Sequence, residues 1–124
     1  MPQSTYRSQS CRWSVRIRVR REEEVLFGSG VARLLEGTGR LGSLRAAAQE
    51  MGMSYRKALE LIRRSEAGLG QPLLEKKIGG AGGGGSQLTG YARSLTDRFT
   101  ALERAVDSYV RSLVLQSFPE FQAR

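Results

Sequence analysis

The stretch "LRAAAQEMGMSYRKALEL", residues 44–61, contains the pattern that decides the fold. Two short helices that cross closely need a small residue at their contact, and Ala48 supplies it. The sharp turn between them needs a residue that tolerates positive φ, and Gly52 follows four positions later. Apolar side chains at suitable offsets then close the angle between the helices: Met51, Met53, Ala58 and Leu61. The stretch therefore predicts a helix-turn-helix, with helices over about 44–51 and 55–67.

The second of these helices begins with a basic turn, Ser54, Tyr55, Arg56 and Lys57. In a helix-turn-helix this turn points at base edges in the major groove of DNA. Arg56 can donate two hydrogen bonds to a guanine edge, and Lys57 can do the same or neutralise a phosphate. A structural interpretation stays open, because amphipathic helix pairs with basic exteriors are common and Tyr55 could simply pack. Three further arginines are better placed for contacts with the DNA backbone: Arg45, Arg63 and Arg64.

The run "GGAGGGGS", residues 79–86, lies between "LLEKKI" and "SQL", which both have the character of short strands. We interpret the hairpin as a wing whose glycine backbone reaches phosphates. A phosphate-binding P-loop needs Gly-Lys-Ser/Thr at the start of a helix, and no such lysine is present. A flexible linker is disfavoured because a long helical pattern follows almost at once. The predicted DNA contacts of the wing are Lys76, Lys77, Gly80, Gly82, Gly83, Gly84, Gly85 and Ser86.

The N-terminal third has two parts. Residues 1–11 are polar and are predicted to form a flexible arm. In "RWSVRIRVR", residues 12–20, strict alternation predicts a half-buried strand with Trp13, Val15, Ile17 and Val19 on one face. "VLF", residues 25–27, is its expected antiparallel partner. The arginine face formed by Arg16, Arg18 and Arg20 could be solvated, touch DNA or bind a partner, and the sequence does not choose among these.

Two helices flank the central pattern. One is predicted over about 31–40, capped by Ser29 and weakened near its end by Gly37 and Gly39. The other is predicted over about 90–115, capped by Thr89, and its apolar residues follow heptad spacing. The first half of this seam is compatible with core packing, whereas the second half extends beyond what a small domain covers. We expect a homodimer with the seam Leu95, Phe99, Leu102, Val106, Tyr109 and Leu113.

Composition limits the classes of function. The 124 residues suit one domain, predicted over 12–115 with a tail at 116–124, and the formal charge of +8 suggests a polyanionic partner. With no histidine and a single cysteine, the chain cannot build a Cys/His zinc site or a Ser-His-Asp triad. We expect no catalysis, no metal and no cofactor. No apolar stretch suits a membrane span or a signal peptide, so we expect a cytoplasmic protein.

The chain resembles the N-terminal DNA-binding domain of ModE-type molybdate-responsive regulators, which are winged helix-turn-helix proteins related to LysR-type activators. The resemblance covers residues 13–104 and is carried by "GSLRAAAQEMGMSYRKAL", "PLLEKKIGGAGGGGSQLT" and "GYARSL". It implies a mainly helical fold with a small β component, a double-stranded DNA partner and a link to molybdate metabolism or transport. It matches Ser43 with a helix start that meets phosphate, residues 54–57 with the DNA-reading segment, and residues 79–86 with the wing.

One departure from the family concerns its effector. Full-length ModE-type sensors add C-terminal oxyanion-binding modules, and this chain ends too early to hold one. We therefore expect a short, single-domain form and no direct binding of molybdate.

The sequence thus predicts a winged helix-turn-helix with an N-terminal β-hairpin and a long C-terminal dimerisation helix, acting as a sequence-specific transcriptional regulator. Two alternatives stay open: a winged-helix adaptor that binds proteins, and a nucleotide-using enzyme built on the glycine run. The basic turn at Arg56 and Lys57 favours DNA, because an adaptor does not need it.

Overall fold

The order of elements follows the sequence pattern closely. The computed structural model describes residues 12–77 and 85–121. In these residues it has β1 (Arg18–Arg21), β2 (Glu24–Gly28), α1 (Ser29–Leu41), α2 (Leu44–Glu50), α3 (Tyr55–Leu69), β3 (Leu74–Lys76), β4 (Ser86–Leu88), α4 (Gly90–Ser117) and a 3₁₀ turn (Pro119–Phe121). Two antiparallel hairpins, β1–β2 and β3–β4, accompany the helices. The predicted winged helix-turn-helix is confirmed.

The chain divides into two compact units. Arg16–Thr100 forms one, and of the described residues 12–15 and 101–121 form the other. The first contains the core, whose most completely buried side chains include Leu34, Leu35, Ile62 and Leu73. In the second, Phe121 packs against Phe118 and Trp13, with ring centroids 5.5 Å and 5.9 Å apart. Among the described helices, none is long and apolar enough to cross a membrane.

The helix starts are fixed by local side-chain caps. The hydroxyl oxygens of Ser43, Ser54 and Thr89 accept hydrogen bonds from backbone N–H groups at the starts of α2, α3 and α4, at 3.0–3.1 Å. These oxygens satisfy N–H groups that have no partner inside the helix. The predicted caps Ser54 and Thr89 are therefore confirmed. Ser29, also predicted as a cap, is instead the first residue of α1, and the extended Gly28 precedes it.

The turn between α2 and α3 has the geometry that the sequence predicts. Gly52 has φ of +72°, which is in the left-handed region. The Met53 N–H donates to the carbonyl oxygen of Ala48 at 3.0 Å, and Ala48 itself is 1% exposed. The turn is therefore tied to the residue at which the two helices meet.

Gly37 lies where α1 and α2 approach most closely. A Cβ on Gly37 would lie 2.9 Å from the Cβ of Ala47. The sequence predicted only a weakened helix end here, whereas α1 continues to Leu41 and the glycine allows tight packing against α2. The contact is reinforced outside the core, where Arg40 Nη1 donates to Glu50 Oε2 at 3.1 Å. This guanidinium lowers the pKa of the Glu50 carboxyl below its ordinary value.

The N-terminal strand is shorter than its alternation suggests. Pairing with β2 begins only at Arg18, opposite Gly28, and the register shifts between Val19 and Arg20. Of the predicted half-buried face, Trp13 and Ile17 are partly buried, whereas Val15 and Val19 are 41% and 44% exposed, so the prediction is wrong at the two valines. The physical reason is the length of β2, which ends at Gly28: of the described residues, 12–17 have no neighbouring strand with which to form a ladder.

The first part of the predicted dimer seam is core. Phe99 is 5% exposed and meets Phe27 edge-on, with ring centroids 5.1 Å apart. Its assignment to a dimer interface is corrected, because the ring is already buried within its own chain. From Leu102 onward the seam is open: Leu102, Tyr109 and Leu113 are 45%, 67% and 43% exposed.

Candidate nucleic-acid interface

The first turn of α3 presents the predicted basic residues to solvent. Arg56 and Lys57 follow the Ser54 cap directly, and both are exposed. The buried face of α3 consists of Ala58, Ile62 and Ser65. Helical spacing then aligns Arg56 with Arg63, and Lys57 with Arg64, because residues seven apart share one face. The four cations form two parallel rows on the solvent side of the helix.

These four cations are not equally available. Arg64 Nη2 lies 2.8 Å from Glu60 Oε1, so its charge is already partnered. Among the described residues, Arg56, Lys57 and Arg63 have no ion-pair partner. Their donors are therefore free to bind phosphate oxygens or base edges, whereas Arg64 would first have to leave Glu60.

Tyr55 is held by a contact that sequence reasoning missed. The guanidinium of Arg45, on α2, lies 4.3 Å from the centroid of the Tyr55 ring, which is a cation–π arrangement. Tyr55 is 37% exposed. The two residues are ten positions apart on different helices, and no local pattern signals the pair. The contact places both predicted DNA-binding residues side by side at the start of α3.

An open groove of about 220 Å³ runs between α3 and the stem of the wing. It brings together four predicted DNA-binding residues: Tyr55, Arg63, Lys76 and Ser86. Two carboxylates that the prediction did not consider, Glu66 and Glu75, also line it. Both are engaged in hydrogen bonds: Glu66 accepts from the Leu73 N–H at 2.8 Å, and Glu75 from the Gln87 amide at 3.2 Å. These bonds hold the wing stem, and because the donors are neutral the groove also carries the negative charge of both carboxylates.

The base of the wing is fastened to the turn before α2. The N–H of Ser86 donates to the carbonyl oxygen of Gly42 at 3.0 Å, and the N–H of Lys77 donates to Gly85 at 3.1 Å. Gly85 has φ of +156°, and a Cβ there would lie 2.8 Å from the Gly42 oxygen. Gly85 and Ser86, predicted as DNA contacts, thus have an anchoring role as well. Lys76 and Lys77 are exposed.

The other predicted wing contacts, Gly80, Gly82, Gly83 and Gly84, lie outside the described residues. Ser43 and Ser54 both lie within them, as caps whose oxygens accept backbone hydrogen bonds. Among the described residues no acceptor is recorded for either hydroxyl proton, so each can still donate to a phosphate. No group of three or more metal-ligating side chains occurs in the described parts of the chain.

This arrangement defines a class: a helix-turn-helix with a wing, whose second helix presents three cations that have no ion-pair partner among the described residues. The family described as "Bacterial regulatory helix-turn-helix protein, lysR family" matches residues 32–93. The chain belongs to this family of DNA-binding transcriptional regulators. Regulators of this kind are not enzymes, which agrees with the sequence prediction.

Comparison with individual proteins gives the same result. The transcriptional regulator ModE of Haemophilus influenzae is 34% identical over 87 residues, which cover 70% of this chain and 34% of that protein. The molybdenum transport protein ModE of Azotobacter vinelandii is 39% identical over 71 residues, covering 57% and 26%. The molybdenum-pterin-binding protein MopB of Rhodobacter capsulatus is 34% identical over 86 residues, covering 69% and 32%. The chain spans about a third or less of the length of these curated relatives.

Among solved structures, the DNA-binding domain of CbnR in its DNA complex is similar. Its TM-score is 0.54 at 25% identity, over 69% of this chain and 94% of that one. The resemblance to ModE-type regulators predicted from the sequence is confirmed.

Proposed function

We propose that the chain binds double-stranded DNA sequence-specifically as a homodimer and regulates transcription in the cytoplasm. In this proposal α3 enters the major groove and Arg56 and Lys57 read base edges. The wing stem, with Lys76 and Lys77, follows the neighbouring backbone. The observation that carries the proposal is the set of three exposed cations on α3 that have no ion-pair partner among the described residues, Arg56, Lys57 and Arg63.

The homodimer rests on the second half of α4. Leu102, Tyr109 and Leu113 are more than 40% exposed, and Val106 lies between them at heptad spacing. Large apolar side chains repeated along one helix face favour association with a second such face. Two reading heads would then bind half-sites about 34–36 Å apart, or a multiple of that distance.

The regulated process is proposed from the relatives. Their names refer to molybdenum transport and to molybdenum-pterin binding. We place this chain in the control of molybdate transport or metabolism. As to the effector, we propose that the domain acts without binding molybdate directly.

The test is selection of bound sequences from random duplex DNA with the full chain. The proposal expects a pseudo-palindromic consensus and an affinity that falls with salt, with a log–log slope of about −0.9 per phosphate contact. No enrichment together with a flat salt dependence would contradict DNA reading and favour the protein-binding adaptor.

Two variants distinguish residues that recognise base pairs from residues that contact only the DNA backbone. Arg56→Ala should relax the consensus at one base pair in each half-site, corresponding to roughly 1–3 kcal/mol of lost discrimination. Arg63→Ala should lower affinity for all sequences about equally, because phosphate contacts carry no sequence information. A uniform loss with Arg56→Ala would reassign Arg56 to the backbone.

A further inference from the structure

A second cavity lies on the edge of α3 opposite the wing groove. It has a volume of about 310 Å³ and lies between the β1–β2 hairpin, the first turn of α1 and α3. The α3 residues that line this cavity are Leu61, Arg64 and Ser65. The wing groove is lined by α3 residues of a different face, including Tyr55 and Leu59. The cavity is therefore separate from the wing groove, and of the predicted DNA-binding residues Arg64 lines it.

The charged residues of this cavity all have one sign. Arg16, Arg18 and Arg64 line it, and among the described residues of its lining none is acidic. Arg64 has one ion pair, with Glu60, and still has further guanidinium donors. Arg16 and Arg18 have no ion-pair partner among the described residues. The arginine face for which the sequence left three roles open thus borders a partly open cavity.

The start of α1 adds positive potential to the same space. Ser29, Gly30 and Val31 line the cavity, and the preceding Gly28 provides no side-chain cap. No acidic residue occurs in the first turn of this 13-residue helix. The first N–H groups of a helix lack intrahelical acceptors and carry the positive end of the helix dipole. An anion bound there would meet both these N–H groups and the arginines.

Ser65 is an independent sign of a ligand. It is 1% exposed, it lines the cavity, and its hydroxyl has no hydrogen-bond partner among the described residues. The other two buried hydroxyls behave differently: Thr38 donates to the Leu34 carbonyl at 2.7 Å, and Thr96 to the Ala92 carbonyl at 3.0 Å. The Ser65 hydroxyl is therefore available to a ligand atom in the cavity.

The remaining walls are apolar, formed by Ile17, Val25, Val31 and Leu61. A cavity of about 150 Å³ holds a benzene ring, so this space is large enough for a ring and an anionic group together. We propose that the cavity binds a small organic anion, a carboxylate or phosphate ester attached to one apolar group. The anion lies against Arg16, Arg18 and the start of α1, and accepts from Ser65.

The proposal is tested by calorimetric titration of the full chain, without DNA, with four probes. Phenyl phosphate and phenylacetate combine ring and anion, inorganic phosphate has only the anion, and phenol only the ring. We expect at least one of the first two to bind at least tenfold more tightly than both phosphate and phenol, and the preferred one identifies the head group.

Variants then locate the site with the tighter probe. Ser65→Ala should weaken binding by up to about tenfold, and Arg18→Gln by tenfold or more, because hydrogen bonds to charged groups contribute more than neutral ones. Arg93→Gln, on an exposed position of α4 outside the cavity, is the matched control and should leave binding unchanged.

Three results would overturn the proposal. The first is the absence of binding by any ring-bearing anion. The second is equal affinity for phenyl phosphate and inorganic phosphate, which would indicate a contact for the DNA backbone. The third is equal weakening by Arg93→Gln, which would indicate general attraction to a basic chain. The first and third results are independent of whether the chain reads DNA.

Discussion

At the scale of single residues, two glycines of α1 have opposite consequences for stability. Gly37 faces Ala47 so closely that an added Cβ would lie 2.9 Å from the Ala47 Cβ, whereas a Cβ on Gly39 would lie 3.4 Å from a flexible methyl of Leu88. Both positions are helical, where alanine is favoured over glycine by about 1 kcal/mol. Packing therefore decides whether an alanine at position 37 raises or lowers the free energy of unfolding, whereas helix propensity decides it at position 39.

We expect Gly37→Ala to lower the free energy of unfolding by about 1–2 kcal/mol, because the destabilisation by overpacking exceeds the stabilisation by the higher helix propensity of alanine. Gly39→Ala should raise it by up to about 1 kcal/mol. Urea unfolding followed by circular dichroism measures both. The double variant Gly37→Ala/Ala47→Gly should recover part of the loss, and no recovery would mean that Ala47 is not the obstructing residue.

Ser54 allows stability and DNA affinity to be separated at one position. Its hydroxyl accepts from the Lys57 N–H at 3.1 Å. Ser54→Ala should cost about 1 kcal/mol of stability, because the cap is lost. Ser54→Asp keeps a capping oxygen and should keep stability, yet add negative charge beside Arg56 and weaken DNA binding. Thermal unfolding and fluorescence anisotropy measure the two effects. Unchanged DNA affinity in Ser54→Asp would show that this turn does not face DNA.

At the scale of elements, the wing depends on a contact at its base. Gly85→Ala would force a side chain onto the Gly42 oxygen, at a φ of +156° that suits only glycine. We expect a loss of about 1–3 kcal/mol in stability and weaker DNA binding, with helix content retained. Gly90→Ala is the matched control, because a Cβ there meets nothing within 4 Å. DNA affinity equal to that of the unsubstituted chain would show that the wing needs no such anchor.

The elements also show how far sequence reasoning reaches. The Gly52 turn and the Ser54 and Thr89 caps were predictable, because each depends on residues within a few positions. The exposure of Arg56 and Lys57 was predictable as well, because it follows from the helix period. The start of β1 at Arg18 was not predictable, because it depends on the length of the partner strand. The sequence did not predict two contacts, between Arg45 and Tyr55 and between Gly42 and Ser86. Each joins residues that only the fold brings close together.

At the scale of the whole molecule, the testable feature is association through α4. Val106→Glu with Tyr109→Glu places charge on the exposed seam and should convert a dimer to a monomer in sedimentation velocity, because it opposes apolar packing between helices. DNA binding should then weaken, since two half-sites are no longer engaged together. Arg104→Glu with Ser108→Glu adds charge on another face of the helix and should leave the dimer intact. A dimer that survives the first pair would place the interface elsewhere.

The hydrogen bond between Ser86 and Gly42 has a consequence for how such proteins diversify. It fixes the base of the wing to the turn before α2, so that the wing stem and the helix-turn-helix keep one relative position. In the proposed complex with DNA, substitutions in the first turn of α3 can then change which bases are preferred without altering the position of the wing relative to α3. In the proposed dimer, changes along the distal part of α4 can change the distance between the two helix-turn-helix units while leaving each unit intact. Sequence preference and half-site spacing thus become properties that can vary independently within one short chain.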